Sequence, residues 1–126
     1  MERVLVVDDS SFARMMLKRC LSIAGVGKEE LLEAENGQQA LDLLREDNTI
    51  QLVVSDINMP ILDGRAMLRR IRASPRLNHV PVIVVSSLVN DDARAELLQI
   101  GASVVLGKPI SPKLMIDACA TVSAES

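Results

Sequence analysis

Five short runs of aliphatic residues, at positions 4–7, 31–32, 52–54, 82–85 and 104–106, recur along the chain with helical patterns between them. The runs are continuous rather than alternating and rich in β-branched side chains, the pattern of strands buried on both faces, as in a parallel sheet. Length alone does not separate such runs from buried helix; what lies between them carries the argument. Phe12, Met15, Met16, Cys20 and Ile23 recur at helical spacing and Gly25 follows as a terminator, which predicts a helix with one apolar stripe. Positions 37–46 repeat the logic with Ala40, Leu41 and Leu44 after an N-cap at Asn36. Further helices are predicted over 64–73, over 91–100 before Gly101, and over 112–122. Strand and helix alternating five times predict an α/β domain, a doubly wound parallel sheet with helices on both faces.

The 126 residues suit one domain, read here as spanning 1–126 with no linker, repeat or low-complexity tract. Phe12 is the only aromatic residue, so the core has to come from Leu, Ile, Val, Met and Ala. With a net charge of −3, the lack of stacking surfaces argues against single-stranded nucleic-acid binding and against flavin. Arg65, Arg69, Arg70, Arg72 and Arg76 on and after the third helix read as a solvated face, not a nucleic-acid footprint. His79 reads as a loop residue. Cys20 and Cys119 lack the number and spacing of a disulfide or zinc framework and are expected to be buried free thiols. No apolar run reaches the roughly 18 residues of a membrane span, and Met1 leads straight into the first strand. The expectation is a cytoplasmic protein without membrane insertion.

Chemistry gathers at one end of the strands. Asp8 and Asp9 follow the first, Asp56 the third, Ser86 and Ser87 the fourth, and Lys108 the fifth. In a doubly wound sheet, ligands bind beyond these carboxyl ends, where the strand order reverses. Each residue alone has an ordinary explanation as a helix cap or a solvated loop residue. Capping, however, takes one short polar residue and not three acids, and clustered carboxylates call for a cation. Magnesium suits them, because it takes a few carboxylates, keeps water and accepts phosphate oxygens. Beside it an ionised Asp is a nucleophile toward phosphorus, and Ser86 and Lys108 are placed to hold phosphoryl oxygens. Gly107-Lys108 is not a phosphate-binding loop, for the first Gly and the Ser/Thr of that motif are missing.

These residues also resemble a known family. Val6-Val7-Asp8-Asp9-Ser10, the stretch from Asp56 through Asn58, Met59, Pro60 and Asp63 to Gly64, Pro81 to Ser86, and Lys108-Pro109 are similar, in order and spacing, to the signatures of two-component response-regulator receivers. Asp9-Ser10-Ser11-Phe12-Ala13-Arg14 resembles more particularly the stand-alone chemotaxis regulators. The resemblance implies a flavodoxin-like sheet in the order 2-1-3-4-5 with five helices. It implies that Asp56 is the phosphoacceptor, that Asp9, Asp56 and the backbone carbonyl of Asn58 bind Mg2+ directly, with Mn2+ able to substitute, and that Asp8 acts through a metal-bound water. Ser86 is the implied switch hydroxyl, Lys108 the implied phosphoryl-oxygen contact, and Lys108-Pro109 a cis peptide. The implied partners are a sensor histidine kinase or phosphotransfer protein and a downstream protein effector. The chain is expected to be a monomer or weak dimer and to catalyse only its own phosphorylation and dephosphorylation.

Two positions depart from the family. Val105 stands where an aromatic ring usually turns inward, so activation is expected to run through the loop after the fourth strand and the fourth helix. Leu88 stands two residues after the switch hydroxyl, where the family often has a polar group. Two other readings are kept: a receiver cut from a longer regulator with a DNA-binding or enzymatic output, and a phosphatase of the dehalogenase type. The second is disfavoured by Asn58, which stands where such an enzyme has its acid.

Overall fold

The computed structural model describes residues 1–125. Strands β1 (Arg3–Val7), β2 (Glu30–Ala34), β3 (Leu52–Asp56), β4 (Val82–Ser86) and β5 (Val104–Gly107) alternate with helices α1 (Ser11–Ile23), α2 (Gly37–Glu46), α3 (Gly64–Ala73), α4 (Asp91–Gln99) and α5 (Pro112–Glu125). The strands pair in parallel in the order β2-β1-β3-β4-β5, the flavodoxin-like arrangement. The predicted elements are all present. The strands run one to three residues beyond the apolar cores that announce them, because an edge strand such as β2 carries exposed Glu30 and Glu33 inside its ladder.

Successive side chains of a strand point to opposite faces, and here both faces are covered. Val4, Val6, Leu52, Val54, Ile83 and Val85 form one apolar layer with Leu17, Cys20 and Leu21 of α1 and Met115, Ala118, Cys119 and Val122 of α5. Leu5, Val7, Val53, Val82, Val84 and Val105 point the other way, against α2, α3 and Leu97 of α4. Both cysteines are free and buried. Short polar side chains start the helices: Ser10, Asn36, Asp63 and Asn90 each accept from a backbone N–H three residues on. No helix among the described residues is long and apolar enough to cross a membrane.

The stripe predicted for α1 is corrected. Of its five residues only Cys20 is buried, while Phe12, Met15 and Ile23 are more than half exposed and Met16 is 39% exposed. The helix is apolar around most of its circumference, and the layer architecture selects one side: Leu17 and Leu21 enter the core with Cys20. Phe12 and Met16 instead line a groove of about 450 Å³ beside Asp8, Lys108, Pro109 and Ile110.

Arg72 ties the back of the sheet together. Its Nε donates to the carbonyl of Gly101 at 2.8 Å, and its Nη1 donates to those of Val80 and Asn78 at 2.6 and 3.1 Å. Gly101 has φ +121°, and a methyl group there would lie 2.5 Å from Arg72 Cγ, so the turn and the arginine are fitted to each other. Arg72→Ala leaves three carbonyls without this donor and is expected to cost about 2–3 kcal/mol, measured by urea unfolding. A loss below about 0.5 kcal/mol would mean that water replaces the guanidinium freely.

Candidate functional site

The chain reverses its strand order at β1: β2 lies on one side and β3 on the other, so the ends of β1 and β3 border a crevice. At the end of β1 the backbone N–H of Asp8 donates to the carbonyl of Ala34, extending the sheet by one bond, and Asp8 Oδ1 accepts from the Ser10 N–H at 2.9 Å. Arg14 reaches back from α1, donating from Nη1 to the Asp8 carbonyl at 2.7 Å and from Nε to Glu33 Oε1 at 2.9 Å. The turn is thereby held from both sides. Asp8 is left 1% exposed, and its Oδ2 is buried without a hydrogen-bond partner. Asp9, the next residue, is exposed.

Asp56 closes β3. Its Oδ1 accepts from the Ile57 N–H at 2.7 Å, and its carbonyl accepts from the Ser55 hydroxyl at 2.7 Å. The loop that follows is clamped by two glycine amides: Gly64 donates to the Ile57 carbonyl and Gly37 to the Leu62 carbonyl, both at 2.8 Å. Neither glycine has room for a side chain. A methyl group on Gly64 would lie 2.4 Å from the Asp56 carbonyl oxygen, and one on Gly37 would lie 2.7 Å from that of Leu62. Between the clamps, Ile61 takes φ +70° with an exposed side chain, a strained state for a β-branched residue. Asn58, in the same loop, is exposed and takes part in no hydrogen bond among the described residues.

The register of β4 with β5 sets Ser86 opposite Gly107, and the Lys108 N–H donates to the Ser86 carbonyl at 2.9 Å. The Ser86 hydroxyl is buried in its own loop, accepting from the Leu88 N–H at 3.2 Å and donating to the Leu88 carbonyl at 3.4 Å. Lys108, preceding a cis peptide to Pro109, places Nζ 3.5 Å from Asp56 Oδ2 and 3.7 Å from Asp8 Oδ2.

One carboxylate oxygen from each of Asp8, Asp9 and Asp56 lies within 4.8 Å of the others. Burial pushes the Asp8 carboxyl above its ordinary value and the charges of Asp56 and Asp9 add to this, while the Ser10 N–H and Lys108 oppose it. Among the described residues the cluster of three acids pairs with one ammonium, that of Lys108, which reaches Asp8 and Asp56. The orphaned Asp8 Oδ2, the exposed Asp9 carboxylate and the unbonded Asn58 carbonyl are hard oxygen donors of the kind a small divalent cation takes. The residues singled out in the sequence at positions 8, 9, 56 and 108 therefore meet, and Ser86 lies on the strand adjacent to β3 with its hydroxyl turned to Leu88.

The sequence profile of the response regulator receiver domain matches residues 4–120. The chain belongs to the response regulator receiver family. This receiver is 32% identical over 116 residues to a chemotaxis protein CheY homolog of Campylobacter jejuni, an alignment covering 90% of this chain and 85% of that one. A structure of the chemotaxis response regulator CheY4 of Vibrio cholerae superposes with a TM-score of 0.84 at 27% identity, covering 97% and 98% of the two chains. A probable transcriptional regulator, ycf27 of Porphyra purpurea, is 38% identical over 112 residues that make up 43% of its length.

Three features of the receiver's site escape a reading of motifs. Arg14 lies inside the segment that resembles the chemotaxis regulators, but its hold on the Asp8 carbonyl depends on how α1 folds back over β1. Gly64 is visible as the end of the loop motif, whereas its contact with the Asp56 carbonyl is not. Gly37 reads only as a helix start, and its role as a clamp arises from the packing of α2 against the loop after β3.

Proposed function

We propose that this receiver is a phosphorelay switch that accepts a phosphoryl group onto Asp56 and answers by changing a protein-binding face. The observation that carries the reading is the convergence of Asp8, Asp9 and Asp56 around a buried carboxylate oxygen that accepts no hydrogen bond, with the Lys108 ammonium 3.7 Å from it. Asp9, Asp56 and the Asn58 carbonyl would hold Mg2+ or Mn2+ directly, and Asp8 through water. The ion, when bound, offsets the carboxylate charge and draws off charge from the phosphoryl oxygens.

The remaining work falls to the chain's own groups. The Ile57 N–H fixes Asp56 Oδ1, leaving Oδ2 as the attacking oxygen. As Oδ2 bonds to phosphorus, the bond from phosphorus to the donor's imidazole nitrogen breaks, and the imidazole leaves with a proton from solvent. Lys108, already 3.5 Å from Oδ2, pairs with a phosphoryl oxygen. The Ser86 hydroxyl leaves Leu88 to donate to another. Its two hydrogen bonds to Leu88 are the contacts exchanged between states, so the loop after β4 is the first segment to respond.

The donor is a sensor histidine kinase or phosphotransfer protein, and the output is contact with a protein effector. We infer that the receiver acts as one unit over 1–126, a reading supported by a chemotaxis relative of which the alignment covers 85%, and that it works in the cytoplasm as a monomer or weak dimer. Incubation with acetyl phosphate and Mg2+, read by intact mass, is expected to add one labile phosphoryl group to the wild type and none to Asp56→Asn. Labelling of the variant at the wild-type rate would remove Asp56 from its role. Sustained hydrolysis of an added phosphomonoester would instead favour a phosphatase.

A further inference from the structure

Helix α4 is held by less than any other helix. Leu97 is its one buried residue, whereas α1 buries three and α2 and α3 four each. The rest of its attachment is polar and sits at defined points. Asn90 caps it, Glu96 pairs with Arg65 of α3 at 2.7 Å on the surface, and Arg94 donates from Nη1 to the carbonyl of Val105 at 2.5 Å. The last of these differs in kind from the others. It links α4 to β5, a strand of the sheet itself, and does so at the residue whose side chain is too small to act as a swinging ring.

We propose that Arg94 is the positioning residue that sets how readily this receiver switches, by strapping α4 to β5 in the present state. The inference rests on the phosphorelay reading above. The mechanical chain runs through named bonds. The Ser86 hydroxyl is held by the backbone of Leu88, Leu88 is two residues from the α4 cap Asn90, and Arg94 follows one turn later. When the hydroxyl turns toward a phosphoryl group, the loop is released and α4 is free to shift, but the Val105 carbonyl is part of the sheet and stays. The strap is then stretched or broken. A contact made in one state and lost in the other shifts the equilibrium between them, and the strap therefore holds the receiver back from the reactive arrangement.

The test compares Arg94→Met, which keeps the aliphatic stem and removes the donor, with Arg94→Lys, which restores a donor, in two measurements. In the unmodified proteins, amide hydrogen exchange over residues 91–99 is expected to quicken about tenfold in Arg94→Met, with α1, α2 and α3 unchanged. With acetyl phosphate and Mg2+, Arg94→Met is expected to be phosphorylated about three- to tenfold faster than wild type, and Arg94→Lys to fall between them. Slower phosphorylation, or faster exchange in every helix, would reduce Arg94 to a stabilising residue and overturn the inference. Unchanged exchange and unchanged rate would do the same. Wild type that takes up no phosphoryl group would refute the phosphorelay reading itself, whereas normal wild-type labelling with no effect of Arg94→Met would refute the strap alone.

Discussion

Replacing Asp8 by asparagine is expected to make the metal-free protein more stable while removing most of its affinity for Mg2+. Oxygens of Asp8, Asp9 and Asp56 lie within 4.8 Å of one another, a separation at which two unit charges repel by about 3.5 kcal/mol at an effective dielectric constant near 20, and Asp8 faces two such neighbours from a position 1% exposed to water. Lys108 offsets part of this, but it lies nearer to Asp56 and keeps that partner in the variant. Asparagine retains an oxygen for the Ser10 N–H and sheds the charge that Oδ2 carries without a hydrogen bond. A gain of about 1–2 kcal/mol, or about 3–8 °C in unfolding midpoint, is expected at neutral pH in a chelator. Titration calorimetry is expected to show Mg2+ binding weakened by about 10- to 100-fold.

The gain depends on pH in a definite direction. Asp8 in the folded chain holds its proton to a higher pH than the ordinary 3.8, so its contribution to stability falls as pH rises across that interval. Below it the wild-type carboxyl is neutral and the advantage of asparagine disappears. A variant less stable than wild type at neutral pH without metal, or one that binds Mg2+ as well, would contradict the picture of a charge cluster awaiting a cation.

Gly64→Ala is expected to damage both the fold and the chemistry. The added methyl group would lie 2.4 Å from the Asp56 carbonyl oxygen and 2.9 Å from Ile57 Cα, and both are backbone atoms with no rotamer to escape into. Gly64 opens α3, where alanine would otherwise stabilise by about 1 kcal/mol, so the sign of the result decides whether propensity or crowding prevails. Overpacking against backbone is expected to win by about 2–3 kcal/mol in urea unfolding. The backbone must move away from Gly64, carrying the Asp56 carboxylate with it, and the rate of phosphorylation by acetyl phosphate is expected to fall about 100-fold. Wild-type stability in Gly64→Ala would show that the loop after β3 yields easily.

Much of this architecture is legible in the residues because parallel strands announce themselves twice, as continuous β-branched runs and as polar residues at one end of each. Positions 8, 9, 56, 86 and 108 can be found that way, since a strand end is a place in the fold as well as in the chain. The face of α1 cannot. Phe12, Met15, Met16 and Ile23 satisfy helical spacing as well as Leu17 and Leu21 do, and only the position of the sheet and α5 decides which set is covered. Arg72 likewise reads as solvated charge in the sequence, yet it donates to the backbone carbonyls of Val80, Asn78 and Gly101, the last 29 residues away, a relation that periodicity does not encode.

The alternation of side chains along β1 makes the sheet a partition wall. Val6 and Val7 are neighbours in the chain yet belong to separate apolar compartments, one shared with α1 and α5, the other with α2, α3 and α4. Repacking on one side therefore has little purchase on the other. The acids stand on the rim of the wall, where both compartments end, and the loop after β3 is braced from one side only, by Ile57 and Met67 of the compartment shared with α2 and α3.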